Sequence, residues 1–323
     1  MKHNLVPWGA NSNRDKDVLN YMLNNPYNNL FHLDLESLPA NEDPIYEDLK
    51  LCKKNKKEAI VCFWYLLTEK QDKNGFRPLK ENWEELLDEM NAQFCEAGGE
   101  YFIGYGFDEP FYFMTSDEYT AVTKRISEYG KRVFSVHATI HIDKSLWPID
   151  YNSERMQKMA LVTPENHKYT TDVAFDYYGE WENGVHYNSI YRMTIEKLGD
   201  RFNEMKFWFF PPIGTVQYEW SLMPSEQCEQ ICIDVFMGMW NWAKNMENFG
   251  GFMMYMYAAH KSVRIPGYLH GNAKEFLLPD QNGDIKWQKM NSILEAVGKG
   301  FNEGKSLNEI ELPDIPHNKG YIV

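Results

Sequence analysis

The chain has 323 residues, 43% of them hydrophobic and 15% aromatic, and a formal net charge of −14 with a pI near 5.1. This composition excludes a disordered chain, because the apolar residues can bury a large core. The acidic balance argues against nucleic acid as a partner, because phosphate binding needs clustered Lys and Arg. No apolar run reaches the ~18 residues of a membrane span, and five cysteines without a Cys-x-x-Cys spacing do not fit a disulfide framework or a zinc cage.

Strand-like and helix-like segments alternate along the whole chain. Strands are predicted at 4–9, 29–36, 59–67, 101–107, 132–142, 171–178, 205–210 and 251–257. Helices are predicted at 15–24, 45–54, 82–97, 115–129, 153–159, 187–198, 225–245 and 285–301. Eight strand–helix units without a Pro-, Gly- or Ser-rich linker predict an α/β fold, a (β/α)8 TIM barrel in which residues 1–323 form a single domain. The polar tail after Gly304 is predicted to lie on the surface.

The N-terminal residues lack the apolar segment of a signal peptide. This predicts a cytoplasmic protein, or an exported one if a leader peptide was removed. The sequence leaves the oligomeric state open.

Adjacent carboxylates follow the fourth predicted strand, in the segment Gly104–Pro110 (GYGFDEP). Glycine within a strand leaves room for a close ligand or backbone, and Pro110 fixes the turn after the carboxylates. Carboxylates this close repel each other, so one can keep its proton and act as an acid while the other is ionised. In the structural alternative, Asp108 caps the next segment and Glu109 pairs with a Lys or Arg.

This Asp-Glu-Pro motif at the end of strand four resembles that of a group of barrel glycoside hydrolases, and most closely that of glycoside hydrolase family 123, the β-N-acetylgalactosaminidases. The resemblance covers these three residues and the strand order of roughly the whole chain. It implies cleavage of a glycosidic bond by substrate assistance, in which the 2-acetamido group of the substrate is the nucleophile. It further implies that Glu109 is the general acid/base and that Asp108 orients and stabilises the acetamido group.

The seventh predicted strand differs from that of the commoner retaining barrels, which carry a nucleophilic Glu at its end. Here residues 205–210 are followed by Pro211 and Pro212, with no carboxylate. A retaining enzyme needs two carboxyl groups about 5–5.5 Å apart, and an inverting enzyme needs about 6.5–9.5 Å. This leaves substrate assistance, an inverting pair such as Glu109 with Asp176, or loss of activity.

A carbohydrate partner is favoured by the surplus of Trp and Tyr, because these side chains combine an apolar face with a polar tip. Barrel sites lie at the C-terminal ends of the strands, so the residues expected there are the candidates. The predicted catalytic residues are Glu109, Asp108 and Asp176. The predicted substrate-binding residues are Trp8, Glu36, Trp64, Tyr105, His137, His141, Tyr177, Trp181, Tyr255 and Tyr257. For the last strand, either the face of Tyr255 and Tyr257 or that of Met254 and Met256 lines the barrel.

Two rival hypotheses come from the same strand ends. His32, Asp34 and Glu36 share one face of strand two, and His137 and His141 share a face of strand five. Such residues could hold a catalytic metal in a hydrolase or isomerase, although no standard ligand spacing is present and no metal or cofactor is assigned. A non-catalytic carbohydrate-binding barrel would also use the aromatic residues.

Overall fold

The protein is described from a computed structural model. The described residues are 3–7, 10, 12–144, 157–176, 181–182, 185–214, 222–255, 260–261, 269–270 and 273–317. Among the predicted site residues, Trp8, Tyr177 and Tyr257 lie outside these ranges, as does most of the helix predicted at 153–159. Within them, no helix combines the length and the apolar character needed to cross a membrane.

Eight parallel strands form a barrel, which confirms the predicted (β/α)8 fold. The strands are β1 (Asn4–Pro7), β2 (Leu30–Asp34), β3 (Glu58–Cys62), β4 (Phe102–Asp108), β5 (Arg132–Ala138), β6 (Asp172–Asp176), β7 (Lys206–Phe209) and β8 (Phe249–Met254). Each strand from β2 to β8 pairs with the next, and β8 pairs with β1. A parallel bridge between Leu5 and Asn28 joins the two ends of this sheet. The extension of one domain over residues 1–323 stays a prediction.

Helices cover the outside of the barrel. They are α1 (Ser12–Asn24), α2 (Pro44–Lys54), α3 (Trp83–Gly98), α4 (Ser116–Glu128), α5 (Tyr187–Leu198), α6 (Asp200–Glu204), α7 (Ser225–Ala243), α8 (Lys274–Leu277) and α9 (Gln288–Asn302). Two strands are shorter than predicted, because 3-10 turns at Trp64–Leu67 and Thr139–His141 follow them. Beyond Gly304, Leu307 and Ile310 are buried and hold the start of the C-terminal tail against the protein.

Side chains alternate between two apolar layers. One layer lies between the sheet and the helices, and the other fills the barrel. The filling consists of Val6, Leu30, Ile60, Phe134, Val136, Ala174, Trp208, Phe210 and Met253. On β8, Met253 is part of this filling whereas Met254 packs outside it, so the next residue, Tyr255, belongs to the barrel side. This settles which face of the last strand lines the barrel.

The indole of Trp208 closes the half of the barrel in which the strands begin, here called the lower half. Its Nε1 donates a 2.8 Å hydrogen bond to the buried Asp172, which also forms an ion pair with Arg132. Gly250 and Gly251 on β8 give the ring its space, since a Cβ at either position would lie within about 2.6 Å of an indole carbon. The interior of the barrel is therefore filled by a large side chain at this end.

We predict that Gly251→Ala destabilises the fold by about 1–3 kcal/mol more than Gly130→Ala, measured by urea denaturation. A Cβ at Gly251 would lie 2.2 Å from the Asn4 carbonyl oxygen and 2.5 Å from the Trp208 ring. Gly130 is the matched control, because its Cβ would meet nothing within 4 Å and its positive φ of 68° is its main constraint. Equal losses in the two variants would show that the indole does not depend on the glycine.

Candidate active site

The adjacent carboxylates lie at the C-terminal mouth of the barrel. Gly106 faces the barrel interior, so by alternation Asp108, the last residue of β4, also points to the inner side, and it is exposed. Glu109 is left-handed, with φ 45° and ψ 49°, and Pro110 begins the 3-10 turn Pro110–Tyr112 directly after it. A left-handed conformation is costly for a residue with a side chain, and such strain tends to collect at functional sites.

The surrounding backbone holds Glu109 in this conformation. Its N–H donates a 2.9 Å hydrogen bond to the carbonyl of Val136 on β5. Phe111 is fully buried, and its ring contacts those of Tyr119 and His137. Thr115 and Glu118 then form a reciprocal capping box at the start of α4. The Asp-Glu-Pro turn is thus fixed at both ends rather than freely hinged.

Asp176 ends β6 on the same edge of the barrel. The register pairs Asp108 with Val136 on β5, and pairs Ala138 with Asp176 on β6. Asp108 and Asp176 are therefore two strand spacings apart, which places their backbones on the order of 10 Å from each other. Ala174 is part of the barrel filling, so Asp176 faces inward by alternation. Asp108 and Asp176 thus both face the mouth of the barrel, from strands that are two apart.

Other predicted substrate-binding residues lie around this mouth. Glu36 is exposed on the loop after β2. Tyr255 follows β8 on the barrel side and packs against Phe210, with ring centroids 5.5 Å apart. Trp181 belongs to a short antiparallel pair, Trp181–Glu182 with Val185–His186. These positions are compatible with a role at the mouth, and that role stays a prediction.

Two of the predicted substrate-binding aromatic residues are buried and contact other side chains. Tyr105 is fully buried on the outer side of β4, where its hydroxyl donates a 2.9 Å hydrogen bond to Asn91 on α3. Trp64 is only 4% exposed and stacks on Phe113 at a centroid distance of 5.8 Å. Tyr105 was misplaced because it alternates with the glycines that face inward, and Trp64 because it lies beyond the end of β3.

The two predicted histidines of strand five are also buried. His137 lies on the outer side of β5, since its neighbours Val136 and Phe134 fill the barrel. His141 lies in the 3-10 turn after β5, and both imidazoles are fully buried. His137 Nε2 lies 2.8 Å from Nε2 of His167, a third buried imidazole. With Phe111 these imidazoles pack behind the Asp-Glu-Pro turn, and substrate binding by His137 and His141 stays a prediction.

Burial lowers the pKa of each imidazole in this histidine layer, namely His137, His141 and His167. The pKa of His141 falls to about 3 because of burial and the nearby His167. The pKa of His167 also falls to about 3 because of burial, with a smaller opposing effect from its hydrogen bond to Thr163 and a further lowering by Arg201. All three groups are therefore neutral at pH 7.

A second group of side chains lies inside the barrel, at the level of Gly106, which is two residues before Asp108 on β4. His32 Nδ1 lies 3.6 Å from Asp34 Oδ1, and Cys62 on the neighbouring strand joins them. In the sequence, His32 and Asp34 share one face with Glu36, which lies beyond the end of the strand. Cys62 was not predicted, because its strand is apolar on both faces and the sequence does not show which residues face inward.

The comparisons bear on the fold. No protein-family model and no curated protein matches the sequence. Among solved structures, the chain is similar to a fungal β-1,4-galactanase at 11% identity and a TM-score of 0.50, over 79% of this chain and 89% of that one. A GH113 β-1,4-mannanase matches at 12% identity and a TM-score of 0.47, over 80% and 88%. A β-glucuronidase from Ruminococcus gnavus matches at 12% identity and a TM-score of 0.44, over 84% of this chain and 45% of that one.

The chain thus spans slightly less than half of the β-glucuronidase. The similarity to the galactanase shows a shared fold, in agreement with the eight-stranded barrel of this structure.

We predict that Glu109→Gly is more stable than Glu109→Ala by about 1–2 kcal/mol, in urea denaturation of the two variants. Both variants lack the carboxylate, but only glycine adopts φ 45° without strain. The usual order is the reverse, because glycine costs more conformational entropy. A more stable alanine variant would show that this turn has an ordinary backbone in solution.

We predict that acid destabilises the fold through the histidine layer. The unfolded chain takes up protons at the ordinary imidazole pKa of 6.5, whereas His141 and His167 do so only near 3. Stability is therefore fully present above 6.5 and falls as the pH drops towards 3, by up to about 1.4 kcal/mol per pH unit for each imidazole. Urea midpoints between pH 7.5 and 5 measure this slope.

The variant His141→Leu isolates one imidazole. Neither ring nitrogen of His141 has a hydrogen-bond partner among the described residues, so the leucine loses no hydrogen bond there. The slope between pH 6.5 and 5 should become shallower, by about the contribution of one histidine. An unchanged slope would contradict the assignment of the acid sensitivity to this layer.

Proposed function

We propose that the protein is a glycoside hydrolase whose general acid is Glu109. The observation that carries the proposal is the Asp108–Glu109 pair at the open end of the barrel, with Glu109 held in a strained left-handed conformation by its bond to Val136. Strain of this kind persists only when the surrounding structure imposes it, and it is a recurrent property of catalytic residues. The fold shared with a β-1,4-galactanase supports the same class of reaction.

In the proposed reaction, Glu109 donates its proton to the glycosidic oxygen as the bond to the anomeric carbon breaks. Asp108 lies on the inner side of the mouth, where an ionised carboxylate can stabilise positive charge that develops on the sugar ring. With a 2-acetamido sugar, Asp108 would instead orient the acetamido group, whose oxygen attacks the anomeric carbon. Water then opens the intermediate, and Glu109 takes back a proton.

The mechanism depends on which second carboxylate acts together with Glu109. Phe210, which directly follows β7, is a residue of the barrel filling, so this strand end presents an apolar side chain where a two-step retaining enzyme needs its nucleophile. Asp176 is the alternative partner, because it ends β6 on the same edge of the barrel and faces inward. Substrate assistance is the mechanism we favour, since it needs only the adjacent pair.

The substrate we propose is a glycan bound across the mouth of the barrel. Tyr255 offers a half-buried aromatic ring on the barrel side, and Glu36 offers an exposed carboxylate on the rim. Aromatic faces stack on sugar rings, and carboxylates accept hydrogen bonds from sugar hydroxyls. Trp181 belongs to a loop on the same side of the barrel as Asp176, which it follows by five residues.

The test is hydrolysis of aryl glycosides, with and without a 2-acetamido group, by the wild type and Glu109→Gln in the presence of EDTA. We expect the variant to lose about 10²–10⁴-fold in kcat/KM on a substrate with a poor leaving group. The loss should shrink with a dinitrophenyl leaving group, which departs without protonation. Glu100→Gln is the matched control, because Glu100 is exposed at the opposite end of β4 and should keep full activity.

The panel also separates the mechanisms. Activity confined to 2-acetamido sugars supports substrate assistance by Asp108. Activity on plain sugars that is lost in Asp176→Asn indicates an inverting pair. Full activity of Glu109→Gln on poor leaving groups would refute the assignment of Glu109, and sugar binding without turnover would indicate a binding protein.

A further inference from the structure

We propose that His32, Asp34 and Cys62 form a binding site for a divalent cation of the zinc class inside the barrel. This site is separate from the carboxylate pair, and the proposed hydrolysis does not require it. It lies at the C-terminal ends of β2 and β3, where the ladder pairs Asp34 with Cys62. One donor atom from each of the three residues lies within 4.8 Å of the other two.

These distances suit a tetrahedral ion after small side-chain movements. Two ligands about 2.0–2.1 Å from zinc are about 3.4 Å apart at the tetrahedral angle, and a thiolate at about 2.3 Å lies slightly farther from its neighbours. His32 Nδ1 and Asp34 Oδ1 are 3.6 Å apart, close to that tetrahedral edge. The distance exceeds that of a hydrogen bond.

The backbone fixes the imidazole in place. A Cβ at Gly106 would lie 3.0 Å from His32 Nε2 and 3.6 Å from the Cβ of Cys62, so this strand presses closely on both side chains. Nε2 thus faces β4 and Nδ1 faces Asp34. All three residues belong to regular strands of a closed barrel, which keeps the ligands preorganised.

Charge and donor type select the cation. A thiolate and a carboxylate together neutralise a divalent ion, which removes much of the cost of placing charge in this buried position. His32 is 0% exposed, Cys62 2% and Asp34 7%. Nitrogen and sulfur donors favour zinc over magnesium and calcium, which prefer oxygen ligands. Three protein ligands leave a fourth coordination position for water.

The experiment is a titration of chelator-stripped full-length protein with cobalt(II) chloride, which replaces zinc in such sites and absorbs visible light. We expect one equivalent of cobalt to produce a thiolate-to-cobalt charge-transfer band, which excess zinc should abolish. Cys62→Ser should lose the band. Cys52→Ser is the matched control, because Cys52 is equally buried but lies on α2, and this variant should keep the band.

A second variant guards against misfolding of Cys62→Ser. Asp34→Asn keeps the thiolate and the imidazole, so it should retain the charge-transfer band but bind cobalt at least about tenfold more weakly. The wild type should also melt at a higher temperature with zinc than without it, because a ligand that binds only the folded state stabilises it.

Three results would overturn the proposal. These are a wild type without the band at tenfold excess cobalt, a band that persists in Cys62→Ser, and a band that disappears in Cys52→Ser. All three are spectroscopic, so they are independent of the glycosidase assays, which are run in EDTA. A failure of hydrolysis therefore says nothing about this site, and a failure of cobalt binding says nothing about Glu109.

Discussion

The hydrogen bond from Trp208 to Asp172 and the space that two glycines of β8 give to the indole determine where this barrel can be open. A barrel of eight strands encloses just enough volume for side chains. Here one indole, held by Asp172 and the cation of Arg132, fills much of the lower half. At the C-terminal ends of β2, β3 and β4 the inward-facing residues are small or polar. The polar chemistry of the molecule is consequently confined to the ends of a few strands.

In each strand, alternate residues face the barrel interior, and only these side chains can contribute to a site at the mouth. Much of this was predictable, because continuous apolar runs bounded by glycine and proline gave eight strands in the right order, and the capping box at Thr115 was visible in the sequence. Which residues face inward was harder to predict. A parallel strand is buried on both faces, so the periodicity that identifies the inner face of a half-exposed strand is absent. Tyr105 and His137 were placed at the site for this reason.

Strand ends were the second source of error. The structure replaces the ends of two predicted strands by 3-10 turns, which moved Trp64 and His141 out of the strand pattern and into the outer layer. The apolar content of these turns resembles that of a strand, and no local signal separates them. The partners of a buried polar group are equally hidden, since His167 comes from an irregular segment far along the chain. At the Asp-Glu-Pro turn, Pro110 marks the end of the strand in the sequence. The left-handed conformation of Glu109 was not predictable, because a residue before proline is normally extended.

The packing of His32 against Gly106 has a consequence for the evolution of this fold. Any side chain at position 106 would place a carbon 3.0 Å from the imidazole, so the ring would have to shift by a few tenths of an ångström to accept it. Relatives that retain histidine at position 32 should therefore retain glycine at 106, and those that acquire a side chain at 106 should carry a smaller residue at 32. Positions 32 and 106, on strands β2 and β4, should therefore covary, although they are 74 residues apart in the sequence.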